Sequence, residues 1–313
     1  MEELSAVATL HEDQLLGCLR AEARSKYPCL KACAEGAVDS RTIGEGGMAT
    51  VGSRFKAKGT LCCTKELKFQ GENCYTPLAA AFEIKALLHL RHDNVLRGLG
   101  FFQSGSNLKI VLPYMDRRCL LSDWQANKTS YKKSRPAVSH VCIGLARALA
   151  YLHDCQIVHR DVKPANILLS SGNEVKLADF GVSRHLGFPD QFPPEGPLGT
   201  QTYSPPEQWL ESPPCGQTPN EKVDIWAFGV VLAELLTAVE GAPFPPWALP
   251  EERFDEFLHS YADRVTEKRC RDLALPEDDA SLVRLCLSKR MDKRPTANEL
   301  LSKISSGRHQ TSH

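Results

Sequence analysis

Between Gln156 and Leu169 the chain reads QIVHRDVKPANILL. Apolar Ile157 and Val158 lead in, and apolar Ile167, Leu168 and Leu169 lead out. His159, Arg160, Asp161, Lys163 and Asn166 are crowded between them. Charge beside a core is unfavourable unless it is paired or used. Two apolar segments therefore enclose a polar loop whose groups need partners, and any fold assigned to this chain has to supply them.

The 313 residues, 42% of them hydrophobic, suffice for one large domain or two lobes. Lys+Arg and Asp+Glu each number 38, so the net charge is +0. Such a balance exerts no general pull on nucleic acid or anionic lipid, and a polyanion would have to be gripped locally. The N-terminal MEELSAVATLHEDQ carries acidic residues and no long apolar core, so it does not read as a secretory signal. With no run of 18 apolar residues, no membrane span is expected. The twelve cysteines are then expected to stay as thiols in a reducing compartment, the cytoplasm or the nucleus. Cys29 and Cys33, and the adjacent Cys62 and Cys63, lack a second pair at zinc spacing and read as structural thiols.

The character of the chain changes along its length. Residues 1–38 are rich in Ala, Leu, Glu and Lys, with Leu10, Leu15, Leu16 and Leu19 at helical intervals. This segment is expected to pack on the domain or to remain partly disordered; the alternative is a surface for a regulatory partner. From Thr42 to Tyr114 short apolar runs such as CCTKELKF and LKIVLPYM predict strands. One helix, LAAAFEIKALLHL, interrupts them, with Leu78, Phe82, Leu87 and Leu88 along one side. Beyond residue 136 the pattern is helical. AVSHVCIGLARALAYLH sets Val138, Val141, Leu145, Leu149 and Leu152 on one stripe, and DIWAFGVVLAELLTA is apolar nearly all round, as a buried helix is. Thr296 and Glu299 form a T-x-x-E capping box. NKTSYKKSRP (127–136) and ESPPCGQTPNEK (211–222) read as solvated loops, and the basic run Lys132, Lys133, Arg135 as wet surface.

Four elements carry chemical signals. IGEGGMATV (43–51) holds Gly44, Gly46 and Gly47, which allow a backbone turn to approach a bulky anion; the alternative is an ordinary turn. Lys65 lies among apolar strand residues and needs a counter-charge or an anion, unless that position faces solvent. Glu83, flanked by Phe82 and Ile84, is a partner for it or an exposed helical glutamate. Finally, Asp161 and Asn166 lie five apart, and Asp179 of VKLADFG follows thirteen residues later. Asp and Asn oxygens suit Mg²⁺, and a further carboxylate can orient or accept a proton from a hydroxyl. A glycine loop, a lysine, a cation-binding pair and a base are the parts that nucleotide phosphoryl transfer requires.

HRDVKPAN followed in order by DFG, SPPE and DIWAFG resembles the eukaryotic-type protein kinase family, across roughly residues 40 to 305. The resemblance implies an α+β, bilobal fold. A small β-rich N-lobe with one main helix (39–114) would precede a larger, mostly α-helical C-lobe (115–306). The helical extension 1–38 and the polar tail 307–313 would flank that kinase domain. The resemblance also implies ATP and Mg²⁺. Asp161 would be the catalytic base and Lys163 would contact the transferring phosphoryl group. Lys65 would grip the α/β-phosphates and pair with Glu83, and Asn166 and Asp179 would hold Mg²⁺. Ile43, Gly44, Gly46, Gly47, Val51, Cys63, Pro113, Met115 and Leu168 would line the nucleotide site. Arg160 would point toward the segment after Gly181, and Glu207 would pair with Arg294.

The chain departs from the family pattern at several points. Ala49 replaces the third loop glycine, and Cys62 and Cys63 stand where Val and Ala are usual. Pro113 follows the gatekeeper position Leu112 and keeps the carbonyl that adenine needs, the N–H coming from Met115. Pro205 replaces Ala in the A-P-E element. Three readings compete: an active protein kinase, an ATP-binding pseudokinase scaffold, and a small-molecule kinase. The complete set Lys65, Glu83, Asp161, Asn166 and Asp179 favours the first, and GTQTYSPPE, which resembles a peptide-positioning segment, disfavours the third. Lys163 and Thr200 resemble the serine/threonine class, and Val182 implies a preference for threonine acceptors. The segment RHLGFPDQFPPEGPLGT has no Ser, Thr or Tyr between Ser183 and Thr200. Glu195 is therefore expected to stand in for a loop phosphate near Arg160; alternatively it is a solvated residue, and activity is set by the N-terminal helix or Thr202.

Overall fold

The computed structural model describes residues 12–35, 39–45, 49–57, 59–70, 74–187, 200–208, 220–237, 270–271 and 275–306. Leu10, Gly46, Gly47, Glu195, most of the 211–222 segment and the 307–313 tail lie outside them. The chain divides into two compact units. One comprises residues 1–116 with 179–183, the other 117–178 with 184–313.

The first unit is built on a five-stranded antiparallel sheet with strand order β1-β2-β3-β5-β4. Its strands are β1 (Asp39–Glu45), β2 (Ala49–Ala57), β3 (Thr60–Leu67), β4 (Gly100–Ser104) and β5 (Asn107–Pro113). Helix α3 (Pro77–His89) starts where Thr76 accepts the Ala79 N–H at 3.1 Å, with Pro77 in the first turn. Two helices, α1 (Glu12–Lys26) and α2 (Pro28–Glu35), precede the sheet and pack on it. Alternation along β3 turns Cys62 to the α2 side and Cys63 to the other. Cys62 joins Phe55, Ala57, Phe102 and Val111 in an apolar face, which Leu30 of α2 covers with Tyr27 and Ala34. Helix α1 buries Leu15, Leu19 and Ala23. It is tied to α3 by Glu22, which accepts from Lys85 at 3.1 Å and from Lys26 at 3.0 Å. Residues 12–35 thus pack on the sheet, in line with one of the expected readings of this segment.

The second unit is helical with small two-stranded sheets. Helix α4 (Leu120–Lys133) leads to α5 (Arg135–Asp154), then β6 (Ile157–Val158), β7 (Ile167–Leu169), β8 (Val175–Leu177) and β9 (Arg184–His185). β6 pairs with β9, and β7 with β8. Helices α6 (Lys222–Thr237), α7 (Glu277–Cys286) and α8 (Ala297–Ser306) follow. The expected stripe of α5 is buried at every position, and α6 is buried nearly all round. The capping box forms: the Glu299 N–H donates to Thr296 Oγ1 at 3.2 Å, and the Thr296 N–H to Glu299 Oε2 at 2.7 Å.

The loop expected at 127–136 is helix instead. α4 runs to Lys133, and Ser134 accepts from the Ala137 N–H to start α5, with Pro136 in its first turn. Buried Tyr131 anchors the stretch by donating to Asp123 at 2.6 Å, while Arg117 grips the same carboxylate at 2.7 Å. The helix is bent at Asn127, whose φ is −127°. Arg135 is not simply wet surface, since it ion-pairs with Asp279. Lys222, placed in the second loop, is the first residue of α6.

Gly100 marks how closely the N-terminal helices approach the sheet. Its φ is 153°, and a Cβ there would lie 2.5 Å from Tyr27 and 2.6 Å from Leu30. Gly100→Ala is expected to lower stability by about 2 kcal/mol through overpacking, read as a lower midpoint in urea unfolding.

Candidate active site

In the first unit the sheet register aligns the expected nucleotide-binding residues. Gly44 pairs with Val51, and Val51 with Lys65. Lys65 is 6% exposed, and its ammonium needs compensation there. It donates to Glu83 Oε1 at 2.6 Å and to Asp179 Oδ1 at 2.7 Å. Burial opposes the lysine's charge, but Asp179 and Glu83 outweigh it and raise its pKa well above the ordinary lysine value. Glu83 is 0% exposed. Burial pushes its carboxyl up, opposed by Lys65 and aggravated by the negative charge of Asp179. Asp179 has φ 70°, a left-handed conformation that is strained for a residue other than glycine.

Of the other expected nucleotide-binding positions in this unit, Ile43, Val51 and Pro113 are half-buried, while Cys63 and Met115 are buried, as is the gatekeeper position Leu112. Burial pushes the Cys63 thiol up to about 12, so it behaves as a small apolar surface and not as a nucleophile. Leu168 belongs to the second unit, where it pairs with Lys176.

In the second unit the opening segment finds the partners it needs. β6 and β7 are the two apolar flanks, and residues 159–166 form the loop between them. Its anchor is Asp224 near the start of α6, which is 0% exposed. Asp224 Oδ2 accepts the His159 backbone N–H at 2.8 Å and His153 Nε2 at 2.9 Å. Asp224 Oδ1 accepts the Arg160 N–H at 2.8 Å. Burial alone would raise this carboxyl, but the bonds and charges from His153 and His159 hold it below the ordinary aspartate value. The His159 ring donates to the Ala178 carbonyl at 3.0 Å and accepts the Asp161 N–H at 3.3 Å.

Asp161 then presents its carboxylate inside a ring of donors. Its Oδ1 accepts both the N–H and the hydroxyl of Thr200 at 2.9 Å. Its Oδ2 accepts Asn166 Nδ2 and Lys163 Nζ, each at 2.8 Å. Lys163 also donates to the Thr200 hydroxyl. The Asn166 amide nitrogen is committed to Asp161, both to its carboxylate and to its carbonyl at 2.8 Å, which leaves the amide oxygen for another ligand. Among the described residues no group of three His, Cys, Asp or Glu could hold a metal ion. A cation held by Asn166 or Asp179 would therefore take most of its oxygens from water and phosphate, as Mg²⁺ does.

Arg160, with φ 69°, lies beside Arg184 in the segment after Gly181, as expected. Burial and then the charge of Arg184 lower its pKa to about 10, and its Nη1 makes no hydrogen bond among the described residues. The expected Glu207–Arg294 pair is present, bidentate at 2.6 and 2.8 Å and buried, with Arg294 stacked 5.0 Å over Trp226. Two residues of this architecture were not foreseen. Asp224 had a signal, a lone carboxylate at the head of an apolar helix. Tyr75 had none: it donates to Glu83 Oε2 at 2.7 Å across a loop that no periodicity marks.

The two carboxylates on Lys65 differ in exposure, Asp179 retaining 40% of its side-chain surface against 0% for Glu83. Lys65→Met leaves Glu83 buried without its counter-ion, and is expected to destabilise the protein by about 3 kcal/mol. Asp179→Ala is expected to change stability by less than about 1 kcal/mol. Urea unfolding of the two variants beside wild type checks the contrast.

Comparison with known proteins shows the family. The family profile of the protein kinase domain matches residues 37–304. Serine/threonine-protein kinase crk1 of Schizosaccharomyces pombe is 35% identical over 84% of this chain and 82% of its own length. An Aurora kinase of Patiria pectinifera is 39% identical over 49% of this chain and 36% of its own. Cysteine-rich receptor-like protein kinase 1 of Arabidopsis thaliana is 27% identical over 88% of this chain and 45% of its own. The chain thus spans less than half the length of the last two. Motif order, two-unit architecture and the matched profile lead to one conclusion: the chain belongs to the protein kinase family.

Proposed function

We propose that this chain is an active serine/threonine protein kinase that transfers the γ-phosphoryl group of ATP to hydroxyls of protein substrates, with Mg²⁺. The observation that carries this reading is the Asp161 carboxylate, held by Thr200, Lys163 and Asn166 with every polar partner within 2.9 Å. A carboxylate fixed in this way can accept the hydrogen bond of an acceptor hydroxyl and take its proton. Lys163 beside it can neutralise charge that builds up on the transferring group. Lys65, drawn between Glu83 and Asp179, is the cation for the α/β-phosphates, and Ile43, Gly44, Gly46, Gly47, Val51, Cys63, Pro113, Met115 and Leu168 are the residues we assign to nucleotide binding. The oxygens of Asn166 and Asp179 would hold Mg²⁺, which neutralises phosphate charge when bound.

The presence of Lys65, Glu83, Asp161, Asn166 and Asp179 favours this reading over a pseudokinase scaffold. Thr200, bonded to both Asp161 and Lys163, supports the serine/threonine class, as does the likeness to crk1. Val182 after the D-F-G glycine supports threonine as the favoured acceptor. The kinase domain is assigned to 39–306, with lobes 39–114 and 115–306. Among the described residues no helix is long and apolar enough to cross a membrane. The proposed location, cytoplasmic or nuclear, rests on reading the twelve cysteines as thiols. Balanced charge argues against nucleic acid as a substrate or partner. A regulatory partner at the N-terminal helices would meet their outer faces, because Leu15, Leu19 and Leu30 are already buried. Glu195 is the proposed built-in counter-charge for Arg160.

The test is phosphoryl transfer from ATP with Mg²⁺ to a generic protein substrate. Asp161→Asn keeps the shape of the side chain and removes the base. It is expected to lower kcat by about 10²–10⁴-fold. Comparable turnover of the variant would overturn the role of Asp161, and a threonine peptide is expected to outperform its serine twin.

A further inference from the structure

Glu83 uses its two carboxylate oxygens differently. Oε1 accepts from Lys65 at 2.6 Å, and Oε2 accepts from the hydroxyl of Tyr75 at 2.7 Å. With 0% exposure, Oε2 has no recourse to water. A buried carboxylate oxygen without a donor is strongly unfavourable, so this second bond helps decide where the side chain points. Tyr75 is itself held firmly. It is 3% exposed, and its backbone N–H donates to the Lys68 carbonyl at 2.8 Å. Its ring lies 5.9 Å from Lys65 Nζ, within cation–π range. A Cβ at Gly181 would come 2.9 Å from the Tyr75 hydroxyl, so the glycine after Asp179–Phe180 leaves the room this phenol occupies.

We propose that Tyr75 is a positioning residue for phosphoryl transfer, which fixes Glu83 in the orientation that draws Lys65 into place. The proposal rests on the kinase reading above and adds to it a residue outside the family motif set. The chemistry favours a phenol here. The cluster holds one ammonium between two carboxylates, and a second cation on Glu83 would compete with Lys65 for it. A neutral donor satisfies Oε2 and leaves the ion pair intact. The phenol remains a donor because burial, and then the Glu83 charge, push its pKa up. Without the hydroxyl, Glu83 gains by turning Oε2 toward whatever donor is near, and Lys65 shifts toward Asp179.

The experiment is Tyr75→Phe, which keeps the ring, alone and combined with Glu83→Gln. Two readouts are taken on the full chain: steady-state kinetics, and labelling of Lys65 by an amine-directed acylating reagent, followed by peptide mass spectrometry. Tyr75→Phe is expected to lower kcat about tenfold, the size of one hydrogen bond to a charged group, with KM for ATP within about twofold. Lys65 labelling is expected to rise. In the Glu83→Gln background the same change is expected to lower kcat no further, because Tyr75 acts through that carboxylate. Wild-type kcat and labelling in Tyr75→Phe would overturn the proposal. So would an equal fall in kcat with and without Glu83, since a purely structural ring would behave that way. If wild type shows no turnover, the kinase reading fails on its own, and the labelling of Lys65 still decides whether Tyr75 positions it.

Discussion

A carboxylate cannot be buried without donors, and Asp224 is buried completely. It meets that requirement with two consecutive backbone N–H groups, from His159 and Arg160, and with the His153 ring. Those N–H groups belong to a loop with no regular ladder of its own, so the helix that carries Asp224 sets where the loop lies. The consequences run outward. Arg160 takes a left-handed conformation, His159 turns its ring to the Ala178 carbonyl, and Asp161 projects among Thr200, Lys163 and Asn166. A rigid, nearly all-apolar helix is a suitable carrier, because packing on every side leaves it no freedom to yield.

The same constraint organises the first unit around Lys65. An ammonium that is 6% exposed requires counter-charge, and two carboxylates provide it. Two carboxylates on one cation then require a further donor, and Tyr75 is that donor. The helix carrying Glu83 is braced in turn by the N-terminal helices. Glu22 bonds Lys85, two residues beyond Glu83, while Leu30 closes the sheet face opposite Lys65. The segment before the matched kinase profile is therefore part of the packing that supports the candidate site.

Much of this was legible in the chain. The α5 stripe, the apolar α6, the Thr296–Glu299 box, and the Lys65–Glu83 and Glu207–Arg294 pairs follow from periodicity, capping chemistry or motif resemblance. The stretch 127–136 reads as a loop in the sequence because polarity alone does not separate a loop from a helix. What makes it helical is Tyr131 reaching Asp123 and Arg117, a set of contacts local in sequence but invisible to composition. Tyr75 escaped notice for a different reason. Its partner lies eight residues away on a different element, at a separation that no secondary-structure period predicts.

The sequence by itself determined the family, the order of the elements and the identities of the ionisable groups. Those depend on residue type and spacing, which the chain states directly. Tertiary structure alone decided how each charge is satisfied. It made Asp224 the anchor of the 159–166 loop, gave Glu83 a phenol as its second donor and laid α2 over the sheet. These outcomes depend on burial and hydrogen-bond distance between residues far apart in the chain. A donor's worth to a carboxylate is set by whether water can reach the pair, and only the packed fold excludes it.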